Sequence, residues 1–297
     1  MRQISNTYRH TLSDSEKDAY ISAELCLMNS ASQLGHDFTT NRWEDLMYSH
    51  VIQGNIIHGV SAFLPWHRWY VRVHEALLQS ECGYEGAHPY WDELHDIDDL
   101  AGSIVFDPVT GFGSEGGECI TDGPFANHTV RITERSLYSN ECINRKFNKE
   151  AWTMNNQTNL DKCSSATSYG DVSRCMEGSA HGGGHTGVGG LMNDFLAAPN
   201  DPIFFLHHAY VDKLWWEWQQ QDLSTRLTDM SGRNVPSAET REFFNFDEPG
   251  PEFTDYFGDG GNETTLQHNM WMVDITSNIT ISDIMDLHND INCATYI

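Results

Sequence analysis

The segment that opens at Asp201-Pro202 constrains the fold of this chain more than any other. It runs through Ile203, Phe204, Phe205, Leu206, His207, His208, Val211, Leu214, Trp215 and Trp218, and wound as a helix it is apolar around most of its circumference, which places it at the centre of a core. An imidazole such as His208 in that position is costly unless it is ligated or hydrogen-bonded. The rest of the chain must therefore supply a partner for it.

Three further helices are legible upstream. Ser13 followed by Glu16 reads as a capping box, with Tyr20, Ile21, Leu25 and Met28 at helical spacing behind it. From Asn41 to about Gln53, the residues Trp43, Leu46, Met47, His50 and Val51 share one side, and Gly54 ends the helix. A third starts near Pro65 and carries His67, Val71, His74 and Leu78 on one face. Between Tyr84 and Cys175 the composition turns to Gly, Asn, Asp and Ser, which predicts ordered loop held by cysteines, with Ile104-Val105-Phe106 as a minor strand. Beyond Ser224 the expectation is irregular or strand-like segments near residues 254–256 and 271–275, and one late helix over 281–287. The chain reads as mainly α, with histidines on core helices.

Composition narrows the partners. Among 297 residues, 43 acidic side chains face 17 Lys and Arg, a formal charge of -26, which argues against nucleic acid and anionic membrane surfaces. No apolar run is long enough to span a membrane, and the polar N-terminus lacks a signal-peptide core. Seven cysteines form no C-x-x-C pair; three disulfides with one thiol left over is the favoured reading, against seven reduced thiols. The sequons at Asn127, Asn156, Asn262 and Asn278 are no more than composition produces by chance.

Three motifs fail on inspection. Gly111 to Gly116 matches a dinucleotide-binding glycine pattern, but no βαβ unit surrounds it. His181-Gly182-Gly183-Gly184 resembles an esterase oxyanion loop, yet the chain has no G-x-S-x-G nucleophile. His181 and His185 have the spacing of a zinc-protease pair, but Gly182 stands where that chemistry needs its Glu.

What survives is a metal-ligand pattern. His181 and His185 lie four apart, able to reach one ion from one helix face, and His208 follows 23 residues later. His50, His58 and His67 form a second triplet. Six neutral imidazoles with no thiolate nearby suit copper or zinc rather than magnesium or calcium.

These residues also carry a family resemblance. Phe63-Leu64-Pro65-Trp66-His67-Arg68-Trp69-Tyr70 is similar to a segment of the tyrosinase, catechol oxidase and haemocyanin family of dicopper proteins. Asp201-Pro202-Ile203-Phe204 through His208 to Asp212 resembles its second signature, D-P-x-F-x-x-x-H-x-x-x-D, and Pro89-Tyr90-Trp91-Asp92 and the stretch around Phe106-Asp107-Pro108 are similar to short fungal members. The resemblance implies a four-helix-bundle core holding a dinuclear copper site, long disulfide-tied loops and a few short strands, with residues 1–297 as one catalytic domain lacking a C-terminal shielding domain. It implies His50, His58 and His67 on the first copper and His181, His185 and His208 on the second, with His74 and His128 the nearest alternatives to His50. His207 is then a supporting residue, and Asp212 either orients His208 or pairs with a nearby cation.

The implied chemistry is oxidation of o-diphenols to o-quinones by dioxygen, with a small phenol and O2 as partners. Family members that hydroxylate monophenols well often carry Asn directly after the first ligand of the second copper and a Glu upstream. Here that position is Gly182, and Glu177 has the wrong spacing. Phe195 aligns with the gate over the copper pair, with Thr186 also near it. Ile56 excludes the Cys–His thioether found in some members. The expectation is catechol oxidase activity above monophenolase activity, in a secreted monomer or weak homo-oligomer whose signal peptide is absent from this chain. A true tyrosinase or o-aminophenol oxidase is one alternative, and a haemocyanin-like oxygen carrier is the other.

Overall fold

The computed structural model describes residues 4–133 and 136–297. Seven helices position the histidines: α1 (Asp14–Asn29), α2 (Arg42–Val51), α3 (Phe63–Cys82), α4 (Gln157–Ser164), α5 (Tyr169–Met176), α6 (Gly182–Val188) and α7 (Ile203–Gln220). The capping box at α1 forms as expected, with the Ser13 side chain accepting from the Glu16 N–H and Glu16 accepting from the Ser13 N–H. Asn41 caps α2 and Gly83 ends α3 in the left-handed conformation. α7 is buried along most of its length and packs against α3, with α1 also packed on α3.

Two charged residues within the sequence signatures pin this core. Arg68 donates from Nε to Asp212 Oδ1 at 2.5 Å, from Nη1 to the Ile284 and Met285 carbonyls, and from Nη2 to Gln219 Oε1, with its guanidinium 3.7 Å from the Trp215 ring centroid. Asp201 receives a bidentate pair from Arg145, at 2.7 and 2.9 Å, and accepts from the Ile203 N–H at the start of α7. Both pairs are buried. Each ties a loop to the central helix.

Three disulfides form, Cys26–Cys82, Cys119–Cys142 and Cys163–Cys175, and Cys293 stands outside them. The first joins α1 to α3, the second closes a loop, and the third joins α4 to α5. Three two-stranded pairings are present among the described residues: Ile4–Asn6 parallel to Ala294–Tyr296, Thr129–Val130 with Glu141–Cys142, and Asn269–Met270 with Ile279–Thr280.

The long middle segment departs from the expected loop, because α4 and all of α5 but Met176 lie within it. Their Asn156 and Ser168 caps are legible, but each helix is only eight residues long and too short to show a clear apolar period. Ile104–Phe106 is a 3₁₀ turn rather than a strand, opened by Ser103 accepting from the Val105 N–H. The late helix shrinks to a 3₁₀ turn at Ile281–Asp283, and Pro251–Thr254 is a single helical turn. Within 271–275, Val273 and Asp274 take positive φ, which breaks any continuous element.

Candidate metal centre

His50 lies at the end of α2, His58 follows a helical turn at Gly54–Ile57, and His67 lies in the second turn of α3. One ring nitrogen from each falls within 4.8 Å of the others, and all three are buried. His181, His185, His207 and His208 form a second cluster by the same measure. The two clusters abut, with the rings of His67 and His208 stacked at 4.4 Å and 14° from parallel.

Backbone carbonyls decide which nitrogen of each ring is available. Nδ1 of His50 donates to the Leu196 carbonyl at 2.9 Å, His58 to Gly54 at 3.0 Å, His67 to Phe63 at 2.8 Å, His181 to Glu177 at 3.2 Å and His185 to Met192 at 2.5 Å. A carbonyl only accepts, so in these five rings the proton sits on Nδ1 and the lone pair on Nε2. Those lone pairs point inward: Nε2 of His50 and His67 are 3.4 Å apart, and Nε2 of His185 lies 3.3 Å from Nε2 of His208, a ring with no carbonyl on Nδ1. His181 Nε2 is buried with no hydrogen-bond partner among the described residues. Facing lone pairs in a dry core repel unless a cation lies between them, so the donor set fits a pair of imidazole-bound metal ions. Burial holds the rings neutral, lowering His58 to about 4 and His185 to about 3. His208 is the exception in its outer bond, since its Nδ1 is buried with no hydrogen-bond partner among the described residues.

His207 differs from its neighbours. Its Nδ1 lies 2.5 Å from Oε1 of Glu93, whose other oxygen accepts from Asn155 Nδ2 at 2.8 Å. Burial raises the Glu93 carboxyl well above its usual range and lowers His207 to about 3. Both groups are thereby held uncharged: the acid donates to Nδ1, and the remaining His207 proton sits on Nε2, which removes that nitrogen as a ligand. Gly184 is required for this contact, because a Cβ there would collide with the His207 ring and with Glu93. The Trp91 backbone N–H donates to the Leu206 carbonyl at 3.1 Å and fixes the loop that carries Glu93 against α7.

Phe195 is half-buried with its ring centroid 5.9 Å from that of His58, packed edge-on against Phe244 and Phe246. Beside it opens a cavity of about 440 Å³ lined by Gly59, Ser61, Glu177, Thr240 and Phe244. Glu177 is half-buried and crowded by protein; desolvation pushes its carboxyl up to about 7, against the Gly59 N–H that donates to Oε1 at 2.7 Å. Glu177 opens a π-helical turn, Glu177–His181, that leads into the second histidine cluster. A Cβ on Gly182 would meet only the Glu177 carbonyl at 3.4 Å and Met154 at 3.9 Å, so that position has room for a side chain. Thr186 is placed elsewhere, in a surface hollow with Lys146, Phe147 and Asn148. Of the two expected roles for Asp212, pairing with a cation is the one formed, through Arg68. His74 lies in a separate buried chain, bonded to Glu24 and His88, and His128 joins neither cluster.

Sequence reasoning passed over Glu93, although it directly follows the Pro89-Tyr90-Trp91-Asp92 segment. It also passed over Phe244 and Phe246, for which no local pattern exists.

A mainly helical fold enclosing two abutting buried histidine clusters fits the class of dinuclear metal proteins, and comparison with known proteins narrows it. Residues 40–221 match the common central domain of tyrosinase. The tyrosinase-like protein phomQ1' of Diaporthe leptostromiformis is 33% identical over 96% of this chain and 78% of its own length. The N-acetyl-6-hydroxytryptophan oxidase ivoB of Emericella nidulans is 30% identical over 77% of this chain and 81% of its own length. Among solved structures, a polyphenol oxidase (mutant G292N) from Thermothelomyces thermophila superposes with a TM-score of 0.83 at 23% identity, covering 99% of this chain and 88% of that one. The chain belongs to the tyrosinase family, whose members are oxidoreductases that bind a dinuclear copper site.

Proposed function

We propose that this protein is a dicopper oxidase converting o-diphenols to o-quinones, two diphenols and one dioxygen yielding two quinones and two waters. In this reading His50, His58 and His67 hold one copper and His181, His185 and His208 the other. Bound copper supplies the two-electron exchange with dioxygen. The observation that carries the reading is the set of carbonyl-anchored imidazoles, whose Nε2 lone pairs converge from two abutting clusters. Their carbonyl bonds fix each ring before metal arrives, so ligand geometry costs little reorganisation. Phe195, backed by Phe244 and Phe246, acts as the gate over His58 and favours a planar phenol entering edge-first. Gly182 leaves the site without the amide that would help position a phenol-deprotonating water, which favours diphenols, the more acidic substrates.

Glu177 favours a second reading, monophenol hydroxylation. Its carboxyl borders the cavity lined by Gly59, the residue after His58, and with a pKa of about 7 it can accept a phenolic proton near neutrality. Steady-state kinetics of the copper-loaded protein on paired monophenols and diphenols, with an o-aminophenol alongside, test both readings. Diphenol turnover well above monophenol turnover supports the first, and rapid tyrosine turnover without a diphenol primer overturns it. Reversible oxygen binding without quinone formation would instead make the protein a carrier. The disulfides support an oxidising, extracellular destination, and we read residues 1–297 as one catalytic domain acting as a monomer or weak homo-oligomer.

A further inference from the structure

A third cluster of potential metal ligands lies outside the histidine core, where the N-terminal segment meets the loop after Trp91. One nitrogen from each of His10 and His95 and one oxygen of Asp96 fall within 4.8 Å of one another. We propose that His10, His95 and Asp96 form a binding site for a single divalent transition-metal ion of the zinc class, independent of the dicopper centre.

The geometry is close to that of a bound ion. His10 Nε2 donates to Asp96 Oδ1 at 3.0 Å, and an ion taking the place of that proton, with ligands about 2.1 Å from a tetrahedral metal, would set the two atoms roughly 3.4 Å apart. The carboxylate is oriented from behind: its other oxygen, Oδ2, accepts from Trp91 Nε1 at 2.7 Å and from Ser103 Oγ at 2.5 Å. Outer hydrogen bonds of this kind hold ligand carboxylates in metal sites. His10 is fixed by Tyr8, whose ring stacks on it at 4.5 Å, and His10 Nδ1 is buried with no hydrogen-bond partner among the described residues. His95 is exposed, on a turn where Asp92 Oδ1 accepts its backbone N–H, and its ring lies 4.8 Å from that of His10. It is the ligand able to swing onto an arriving ion, with water completing the shell.

Two imidazoles and one carboxylate select zinc, nickel or copper over magnesium or calcium. The neighbouring Asp92 and the net charge of -26 raise the local concentration of cations. An ion here would clip the N-terminal segment, already bonded through the Arg9 N–H to the Tyr90 carbonyl at 2.9 Å, onto the loop that carries Glu93. The consequence is mechanical: the loop that positions His207 becomes harder to open.

The test is a zinc titration of copper-loaded, chelator-washed protein, with zinc and copper per chain measured together by elemental mass spectrometry. Wild type is expected to take up one zinc per chain without losing copper, and its Tm should rise by about 5 °C at a hundredfold excess over Kd. His95→Ala, which removes an exposed side chain, and His10→Gln should each weaken that uptake at least tenfold and abolish the Tm shift, with copper content and circular dichroism unchanged. The proposal is overturned if wild type binds no zinc beyond copper exchange, or if either variant binds it as tightly as wild type.

Discussion

Arg68 and Asp212 join the two signature helices through a buried ion pair with Nε and Oδ1 2.5 Å apart. Arg68 follows His67 directly and Asp212 lies one helical turn after His208, so the pair sets the relation between one histidine of each cluster. Tyr296 donates to the other Asp212 oxygen at 2.6 Å. Arg68→Met leaves that carboxylate buried beside the Tyr296 hydroxyl without its cation, and should destabilise the fold by about 3–5 kcal/mol in urea titrations. Arg68→Lys should recover little, because one ammonium cannot reach Asp212, Gln219 and two carbonyls together.

Copper removal should make stability acid-sensitive. In the metal-free protein His58 is lowered to about 4 and His185 to about 3, whereas in the unfolded chain both titrate near 6.5. Between those values the unfolded state binds more protons, so stability rises with pH through the window and is lost as pH falls below 6.5. Chelated protein should lose about 1.5 kcal/mol for each of these two rings between roughly pH 6.5 and 5. Urea midpoints at the two pH values measure this, and a midpoint that does not fall would show that the rings are not buried neutral.

Glu93→Ala removes the group that holds His207 Nδ1. By releasing His207, whose ring packs 4.8 Å from that of the ligand His185, it should cost up to about tenfold in affinity for the second copper. Metal analysis after dialysis against graded chelator reads this directly. Glu93→Gln, which keeps a donor toward Nδ1, should retain most of the affinity.

Phe195→Ala should widen access above His58, whose ring it now faces edge-on, and lower KM for bulky diphenols with smaller change in kcat. Unchanged KM across a size series of catechols would remove Phe195 from the gate.

Gly182→Asn places an amide where the structure has room for it, beside the Glu177 carbonyl. Monophenol turnover should rise at least severalfold relative to diphenol turnover. Combining it with Glu177→Gln should abolish that gain if Glu177 is the proton acceptor.

The amino-acid sequence by itself determined four of the helices and the histidines that three of them carry. Apolar periodicity and caps define α1, α2, α3 and α7, and the helical spacing of His181 and His185, with His208 on the most apolar helix, marks them as candidates for a shared ion. Those are local properties, set by residues within a few turns of one another. Only the tertiary structure decided the anchor of His50, the Leu196 carbonyl 146 residues away, whereas His58, His67 and His181 each bond the carbonyl four residues back in their own segment. The same holds for Glu93 on His207, for Phe244 and Phe246 behind Phe195, and for the cysteine pairing. Glu177 meets the cavity wall through Gly59, which lies 118 residues away in the chain, a contact that spacing alone does not show. Backbone carbonyls carry no side-chain signature, so an anchor outside the imidazole's own segment, as Leu196 is for His50, depends on how distant segments pack.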